Sequence, residues 1–198
     1  MIILVLGTQK SGKSLLAEEL CLAMGDSEKY YLATMRVMDH EGVLRVEKHR
    51  KQREGKGFVT IERGREITGA VKDMAHPEAA TVLLECVSNL VGNELFENPV
   101  WRGTDEMHEN PMRHGTDTEE TFESPMRDGM GAKHFADVIM DEIGKLAGAV
   151  HHLVIVSSVY PLSDPGYDAD TIRYVTYLHA VNERLKALAD EVRELRKH

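Results

Sequence analysis

The sequence has few of the residues and stretches that mark several large protein classes. It contains 2 cysteines, Cys21 and Cys86, in 198 residues. They match no zinc-binding spacing and suit small buried apolar residues of a reducing compartment better than a disulfide framework. An apolar run of about eighteen residues is absent, and the apolar start breaks at Gly7, so we expect neither a membrane span nor a signal peptide. These absences predict a cytoplasmic protein.

Basic residues are outnumbered by acidic ones. The chain has 33 acidic and 24 basic residues and a formal net charge of -9. An acidic surface repels phosphate backbones, which argues against general nucleic-acid binding, although a local basic cluster can still bind a nucleotide. The hydrophobic content of 42% and charged content of 29% are ordinary for a globular protein. The length predicts one α/β domain over residues 1–198.

The most informative stretch lies at the start of the chain. An apolar run over residues 2–6 leads into the pattern G-x-x-x-x-G-K-S, and a helix-like segment follows at once. This is the strand, loop and helix setting of a phosphate-binding P-loop. We expect Lys13 to reach the β- and γ-phosphates of ATP or GTP and the Ser14 hydroxyl to bind Mg²⁺. The predicted nucleotide-binding loop comprises Gly7, Thr8, Gln9, Lys10, Ser11, Gly12, Lys13 and Ser14.

Strand and helix patterns alternate along the rest of the chain. Apolar stretches predict strands at 2–6, 29–34, 58–61, 81–86 and 151–157. Helical patterns cover 14–24, 41–53, 66–75, a segment ending near residue 96, 133–148, and one long final helix whose apolar positions run from Ile172 to Leu195. Near-continuous apolar strands between helices predict a P-loop NTPase-like three-layer fold, with a mostly parallel sheet and helices on both faces.

A polar insertion at about 97–131 interrupts this order. It holds an imperfect repeat at 97–103, 109–115 and 123–129, and each copy has a proline and a closing glycine. That chemistry predicts turns and disfavours helices. Two interpretations are open. Its length favours a solvated loop. Trp101 and Phe122 are unusual in such a loop and keep open a lid or subunit-contact arm over the nucleotide site.

Several further stretches resemble one known family. They are Tyr31–Thr34, Asp39 with Glu41, Arg45–Arg50, Val82–Cys86 with Asn93, Val181–Leu185 and Ala189–Val192. In order and spacing they are similar to motifs of the bifunctional adenosylcobinamide kinase/adenosylcobinamide-phosphate guanylyltransferases, over about residues 1–98 and 133–192. The resemblance implies that the protein phosphorylates adenosylcobinamide and then attaches GMP, in cobalamin biosynthesis. It also implies a corrinoid substrate and a homotrimer.

The resemblance assigns a covalent role to His49. Its imidazole would attack the α-phosphate of GTP and carry GMP as a phosphoramidate. Arg45 lies one helical turn earlier on the same face, and both Arg45 and Arg50 are expected to bind the nucleotide. From the residues alone, a single histidine on a charged helix is most often a solvated surface residue, and only the resemblance favours the covalent role. The remaining histidines have no metal-ligand spacing, so no transition metal is predicted.

Glu85 is the third candidate catalytic residue, beside His49 and Lys13. It ends a buried strand, where ligands of open α/β sheets bind, and with Ser14 it is expected to position Mg²⁺. The alternative is a carboxylate that simply reaches solvent at a strand end.

The chain also departs from the family pattern. Thr8 and Lys10 replace a glycine and an arginine of the loop, and Ser158-Val159 stands where the family has Asn-Glu. No apolar strand is expected after Val192, where family chains continue into one. These departures leave two other functions open: a P-loop kinase of another small hydroxyl-bearing metabolite, and a nucleotide-binding regulatory protein that has lost catalysis.

Overall fold

The chain folds around a six-stranded sheet. The computed structural model describes residues 1–25, 28–37, 40–102 and 129–195. The strands are β1 (Ile2–Gly7), β2 (Lys29–Ala33), β3 (Phe58–Glu62), β4 (Thr81–Glu85), β5 (His152–Ser158) and β6 (Glu191–Leu195). Their order is β3-β2-β4-β5-β1-β6, and every neighbouring pair is parallel. Parallel neighbours need long crossovers, and helices supply them here.

The helices lie on both faces of the sheet. They are α1 (Lys13–Ala23), α2 (His40–Arg53), α3 (Val87–Glu97), α4 (Pro99–Arg102), α5 (Gly129–Ala149) and α6 (Ala169–Leu188). The helix predicted at 66–75 is a 3₁₀ helix, Ile67–Asp73, and a second short 3₁₀ helix spans Pro77–Ala79. The predicted fold class is confirmed, whereas the single domain over 1–198 stays a prediction. None of the helices within the described ranges is long and apolar enough to cross a membrane.

Two apolar cores follow from the alternation of strand side chains. In β1, Leu4 and Leu6 face a large core with helices α3, α5 and α6, while Ile3 and Val5 face a smaller core with α1. Successive residues of a strand point to opposite sides, so a strand covered on both faces must be apolar throughout. The near-continuous apolar runs in the sequence therefore have their cause in this three-layer packing.

The end of the chain corrects one prediction. The predicted final helix to Leu195 is wrong: α6 ends at Leu188, and Glu191–Leu195 forms β6 beside β1. The expectation that no last strand follows is therefore also wrong. Val192 and Leu195 fit the helical period, but β1 offers an open edge there, and Asp190 accepts a hydrogen bond from the Ile2 amide at 2.7 Å. This long-range pairing outweighs the local periodicity.

The structure at the start of the insertion corrects a second prediction, that of a turn in the first repeat copy. In the first repeat copy, Pro99–Arg102 is a short helix and not a turn, and Trp101 is buried against Phe135 with ring centroids 5.1 Å apart. Proline is tolerated in the first turn of a helix, and burial of the indole stabilises this segment. The copy at 109–115 and Phe122 lie outside the described residues, and helix α5 begins at Gly129, the last residue of the third copy.

Candidate nucleotide site

The P-loop connects β1 to α1 at the carboxyl edge of the sheet. Gly12 has a φ of 89° and Lys10 a φ of 60°, so the loop turns through left-handed backbone just before the helix begins. This conformation is free of strain only for glycine, which explains Gly12. Lys13 Nζ donates a hydrogen bond to the Thr8 carbonyl at 2.5 Å and thus folds back over the loop. The lysine is therefore held where a bound phosphate would meet it.

Gly7 is required by a close approach rather than by its backbone angle. A Cβ added at Gly7 would lie 2.6 Å from the Leu195 carbonyl oxygen and 2.7 Å from Ser11 Oγ. Strand β6 therefore packs directly against the start of the P-loop. The lack of a side chain at the first glycine of the motif allows β6 to pack beside the loop, and the motif alone does not predict this contact.

Burial changes the acidity of the P-loop lysine. Lys13 is buried, and desolvation lowers its pKa, while the nearby Cys86 and Glu85 act in the opposite direction. A desolvated ammonium gains more from a phosphate than one in water does. The position of Lys13 thus suits a triphosphate.

Ser14 and Glu85 meet as the sequence predicts. Ser14 Oγ donates a hydrogen bond to Glu85 Oε1 at 2.7 Å, while Glu85 Oε2 is buried without a hydrogen-bond partner in the described part of the chain. Burial raises the pKa of Glu85 to about 7, against smaller opposing effects of Ser14 and Lys13. A hydroxyl beside a carboxylate with a free buried oxygen is an oxygen-rich pair of the kind that Mg²⁺ prefers. These two residues fit a magnesium ion.

Two motif residues with no assigned chemistry join the strands beside this site. Thr34 Oγ1 accepts a hydrogen bond from the Cys86 amide and donates one to the Cys86 carbonyl, both at 2.8 Å. Asn93 Nδ2 donates to the carbonyls of Thr34 and Gly64, also at 2.8 Å. Thr34 and Asn93 therefore hold the ends of β2 and β4 together, which positions Glu85. Asp39, quoted with the same motif, lies outside the described residues.

Helix α2 presents its basic face towards the P-loop. His49 is half-buried, and its Nδ1 has no hydrogen-bond partner in the described ranges. Desolvation, followed by the charge of Arg53, lowers the pKa of His49, so the imidazole is neutral at neutral pH. Arg45 and Arg50 are exposed, and Arg50 pairs with Glu62 at 2.6 Å. A neutral imidazole is the form that can act as a nucleophile.

Glu18 links helix α2 to the helix that follows the P-loop. Its carboxylate is fully buried and accepts hydrogen bonds from Lys56 Nζ at 2.6 Å and Gln52 Nε2 at 2.9 Å. Glu18 lies on α1, Gln52 in the last turn of α2, and Lys56 just after it. This pairing fixes the end of the helix that carries His49. Nothing in the sequence marks Glu18, because a glutamate on a helix is ordinarily solvated.

Arg53 is a second buried charged residue beside the site. It is buried at the end of α2, with its guanidinium carbon 3.4 Å from the centre of the Tyr31 ring. The signal available was its spacing, four residues after His49 and so on the same helical face.

The altered segment after β5 also reaches the site. Ser157 Oγ donates a hydrogen bond to Asn182 Oδ1 at 2.7 Å, and Asn182 Nδ2 donates to the Ser158 carbonyl at 3.0 Å. Asn182 comes from α6, so the final helix sets the backbone at Ser158. Ser158 and Tyr160 then contribute to the wall of the site in place of an Asn-Glu pair.

One cavity of about 770 Å³ brings most of the predicted residues together. Its walls include Gln9, Lys10, Ser11, Gly12, Lys13, Ser14, Arg45, His49, Arg50 and Glu85. Gly7 and Thr8 do not line it: Gly7 supports the loop, and Thr8 contributes the carbonyl that Lys13 contacts. The cavity is large enough for a nucleotide, and it places a cationic loop and a neutral imidazole around one space.

Comparisons with known proteins agree with the sequence motifs. The model of the family described as cobinamide kinase / cobinamide phosphate guanyltransferase matches residues 3–195. The bifunctional adenosylcobalamin biosynthesis protein CobU of Escherichia coli K12 is 40% identical over 98 residues, 49% of this chain and 51% of that protein. The protein of the same description from Salmonella typhimurium LT2 is 36% identical over 97 residues, 48% of this chain and 51% of that protein. The chain thus matches about half the length of these curated relatives.

Two solved structures match over nearly the whole chain at low sequence identity. The flagellar accessory protein FlaH from Methanocaldococcus jannaschii has a TM-score of 0.46 at 10% identity, covering 98% of this chain and 70% of that one. A second solved structure, of an ATPase domain, has a TM-score of 0.49 at 9% identity, covering 98% of this chain and 68% of that one. Because the family model extends over nearly the whole sequence, the chain belongs to the cobinamide kinase / cobinamide phosphate guanyltransferase family.

Proposed function

We propose that this protein catalyses two nucleotide-dependent steps of cobalamin biosynthesis: phosphorylation of adenosylcobinamide, and transfer of GMP from GTP to adenosylcobinamide phosphate. One observation carries the proposal. The P-loop, the Ser14–Glu85 pair and the neutral imidazole of His49 line a single cavity. Membership of the family supplies the identity of the substrates, and the cavity supplies a place for both steps.

In the first step the aminopropanol hydroxyl of adenosylcobinamide attacks the γ-phosphorus of the triphosphate. A new O–P bond forms, the bond to the β-bridging oxygen breaks, the nucleoside diphosphate leaves, and the hydroxyl proton passes to solvent. Lys13 and the loop amides stabilise the negative charge of the transferred group, since phosphoryl transfer depends mainly on positioning and charge neutralisation. Ser14 and Glu85 would hold Mg²⁺, which supplies further charge neutralisation.

In the second step the imidazole of His49 attacks the α-phosphorus of GTP. An N–P bond forms, the bond to the β-phosphate breaks, and pyrophosphate leaves while the imidazole loses its other ring proton. The phosphate oxygen of adenosylcobinamide phosphate then attacks the same phosphorus and releases His49. Splitting the transfer in this way replaces one difficult displacement by two easier ones. Arg45 and Arg50, at the edge of the same cavity, would bind the nucleotide.

Labelled GTP tests the proposal. α-labelled GTP should leave label on the protein and γ-labelled GTP should not, and the bond should be acid-labile and alkali-stable. His49→Ala should abolish this labelling and leave kinase turnover largely intact. Lys13→Ala should weaken GTP binding roughly ten- to a hundred-fold, because a charge-assisted contact is lost. His151→Ala is the matched control, since His151 lies at the opposite, amino-terminal end of strand β5.

A wild-type protein that binds GTP tightly but takes no label would refute the guanylyl transfer. One observation then favours a nucleotide-binding regulatory protein: the cavity wall carries Ser158 and Tyr160, and no carboxamide or carboxylate stands at positions 158 and 159. Binding of ATP and GTP without turnover of cobinamide, or of any other alcohol tested, would support that second candidate.

The proposal also covers assembly and location. By resemblance to the family we infer a homotrimer in the cytoplasm that acts on a corrinoid small molecule and not on nucleic acid. Sedimentation equilibrium of the full chain, with and without GTP, measures the assembly. A monomer under both conditions would contradict the homotrimer.

A further inference from the structure

The guanidinium of Arg53 is buried and stacked on an aromatic ring. The residue is only 7% exposed, and its guanidinium carbon lies 3.4 Å from the centre of the Tyr31 ring. This stacking fixes the plane of the guanidinium and leaves its N–H groups to point along that plane. The wall of the cavity that contains the P-loop includes both residues.

Most of the hydrogen-bonding capacity of this buried cation is unused. Nε and Nη1 have no partner in the described residues, and Nη2 reaches Thr60 Oγ1 only at 3.5 Å. Of the two nearby carboxylates, Glu18 accepts hydrogen bonds from Lys56 and Gln52, and Glu85 accepts one from Ser14 through Oε1. Neither carboxylate accepts a hydrogen bond from Arg53 in the described part of the chain, although Glu85 Oε2 is free. An unpaired buried charge is costly, so its retention points to an anionic ligand that pairs with it when bound.

The position of Arg53 identifies the class of anion. Arg53 lies one helical turn after His49 on the same face of α2, and its planar fork matches two oxygens of a phosphate. We propose that Arg53 binds the phosphoryl group that His49 attacks, donating from Nε and Nη1 to its non-bridging oxygens. The identity of this group as the α-phosphate of GTP rests on the proposed function. The presence of a phosphate ligand at Arg53 rests on the buried, unpartnered N–H groups.

Three variants test this assignment. Arg53→Met keeps the apolar stem and removes the fork, Arg53→Lys keeps a charge without the fork, and Lys51→Met removes one exposed charge from the same helix as a matched control. Calorimetric titration with GTP and Mg²⁺ should show affinity lower by about ten- to a hundred-fold in Arg53→Met, and a partial recovery in Arg53→Lys. Lys51→Met should stay within about two-fold of wild type, because exposed charges are screened.

The second measurement is retention of label from α-labelled GTP at saturating nucleotide. Arg53→Met should label more slowly even when fully bound, because the contact also stabilises the phosphorus as it is attacked. Wild-type affinity in both Arg53 variants, or equal weakening in Arg53→Met and Lys51→Met, would overturn the assignment. If Arg53→Met does not fold, as judged by its melting curve without nucleotide, Arg53→Lys alone decides in the same titration.

The two proposals fail separately. Absence of label on wild-type protein would refute guanylyl transfer through His49 and would leave the titration unaffected. A selective loss of GTP affinity in the Arg53 variants would then still assign a phosphate to Arg53.

Discussion

The buried carboxylate of Glu18 provides the sharpest test of how helix α2 is positioned. Glu18 is 0% exposed and accepts hydrogen bonds from Lys56 and Gln52, so it joins α1 to the end of α2. We predict that Glu18→Ala lowers the free energy of unfolding by about 2–3 kcal/mol. Removing one partner of a fully buried pair costs about 3–5 kcal/mol. The Lys56 side chain is 26% exposed and can turn towards water, which reduces that cost.

Glu18→Gln separates charge from shape. The amide keeps the size of the side chain and an acceptor for Gln52, but it loses the charge that Lys56 faces. We expect a loss of about 1–2 kcal/mol, in the range of a charge-assisted hydrogen bond. We would measure urea unfolding of Glu18→Ala, of Glu18→Gln, of Lys56→Met and of the variant that carries both of the last two changes. The difference between the combined effect and the sum of the single effects is the coupling energy between Glu18 and Lys56. Asp141→Ala, which breaks the exposed Asp141–Lys145 pair, is the control and should leave stability unchanged.

The same variants connect stability to the site. Because α2 carries His49 and Arg53, Glu18→Ala should reduce labelling by α-labelled GTP more than it reduces binding of triphosphate to the P-loop. Unchanged stability in Glu18→Ala would refute the argument that this ion pair holds the helix. A destabilised variant with wild-type labelling would show that other contacts position His49.

Particular contacts elsewhere in the fold give four more predictions. Gly7→Ala should lower the free energy of unfolding by about 1–3 kcal/mol and weaken GTP binding, because its Cβ would lie 2.6 Å from the Leu195 carbonyl oxygen. Thermal unfolding and GTP titration measure the two effects, and Gly144→Ala, which has open space around its Cβ, is the control. Trp101→Ala should cost about 3–4 kcal/mol in urea unfolding, since the indole is buried against Phe135, and a smaller loss would contradict a packed role. Asp190→Ala should cost about 1 kcal/mol by losing its bond to the Ile2 amide and should speed hydrogen exchange in β6, which an unchanged exchange rate would refute. The rate of labelling should rise with pH through a midpoint below 6.5, because burial and the charge of Arg53 lower the pKa of His49. Arg53→Met should raise that midpoint. A midpoint above 6.5 in the wild-type protein would contradict a desolvated imidazole.

The sequence alone was sufficient for the parts of the site that depend on local chemistry. The spacing from Gly7 to Ser14 predicts a P-loop because backbone angles and phosphate contacts are set within a few residues. The apolar run ending at Glu85 places a carboxylate at the carboxyl edge of the parallel sheet, where ligands bind, and in this protein that position lies beside Ser14. The helical pattern at 41–53 likewise predicts helix α2, whereas the role of His49 came only from the family resemblance and stays a prediction.

Tertiary structure decided what depends on residues far apart in the chain. Strand β6 forms because the open edge of β1 pairs with Glu191–Leu195, which local periodicity assigned to a helix. Glu18 and Arg53 are ordinary charged helix residues in sequence, and only the packing of α1, α2 and β2 buries the carboxylate against Lys56 and the guanidinium against Tyr31. A local sequence pattern indicates the secondary structure of a segment and which of its faces is apolar. Such a pattern does not show which charged side chain is buried by residues from distant parts of the chain. The buried carboxylate of Glu18 and the buried guanidinium of Arg53 are the features that distinguish this site, and both depend on those distant contacts.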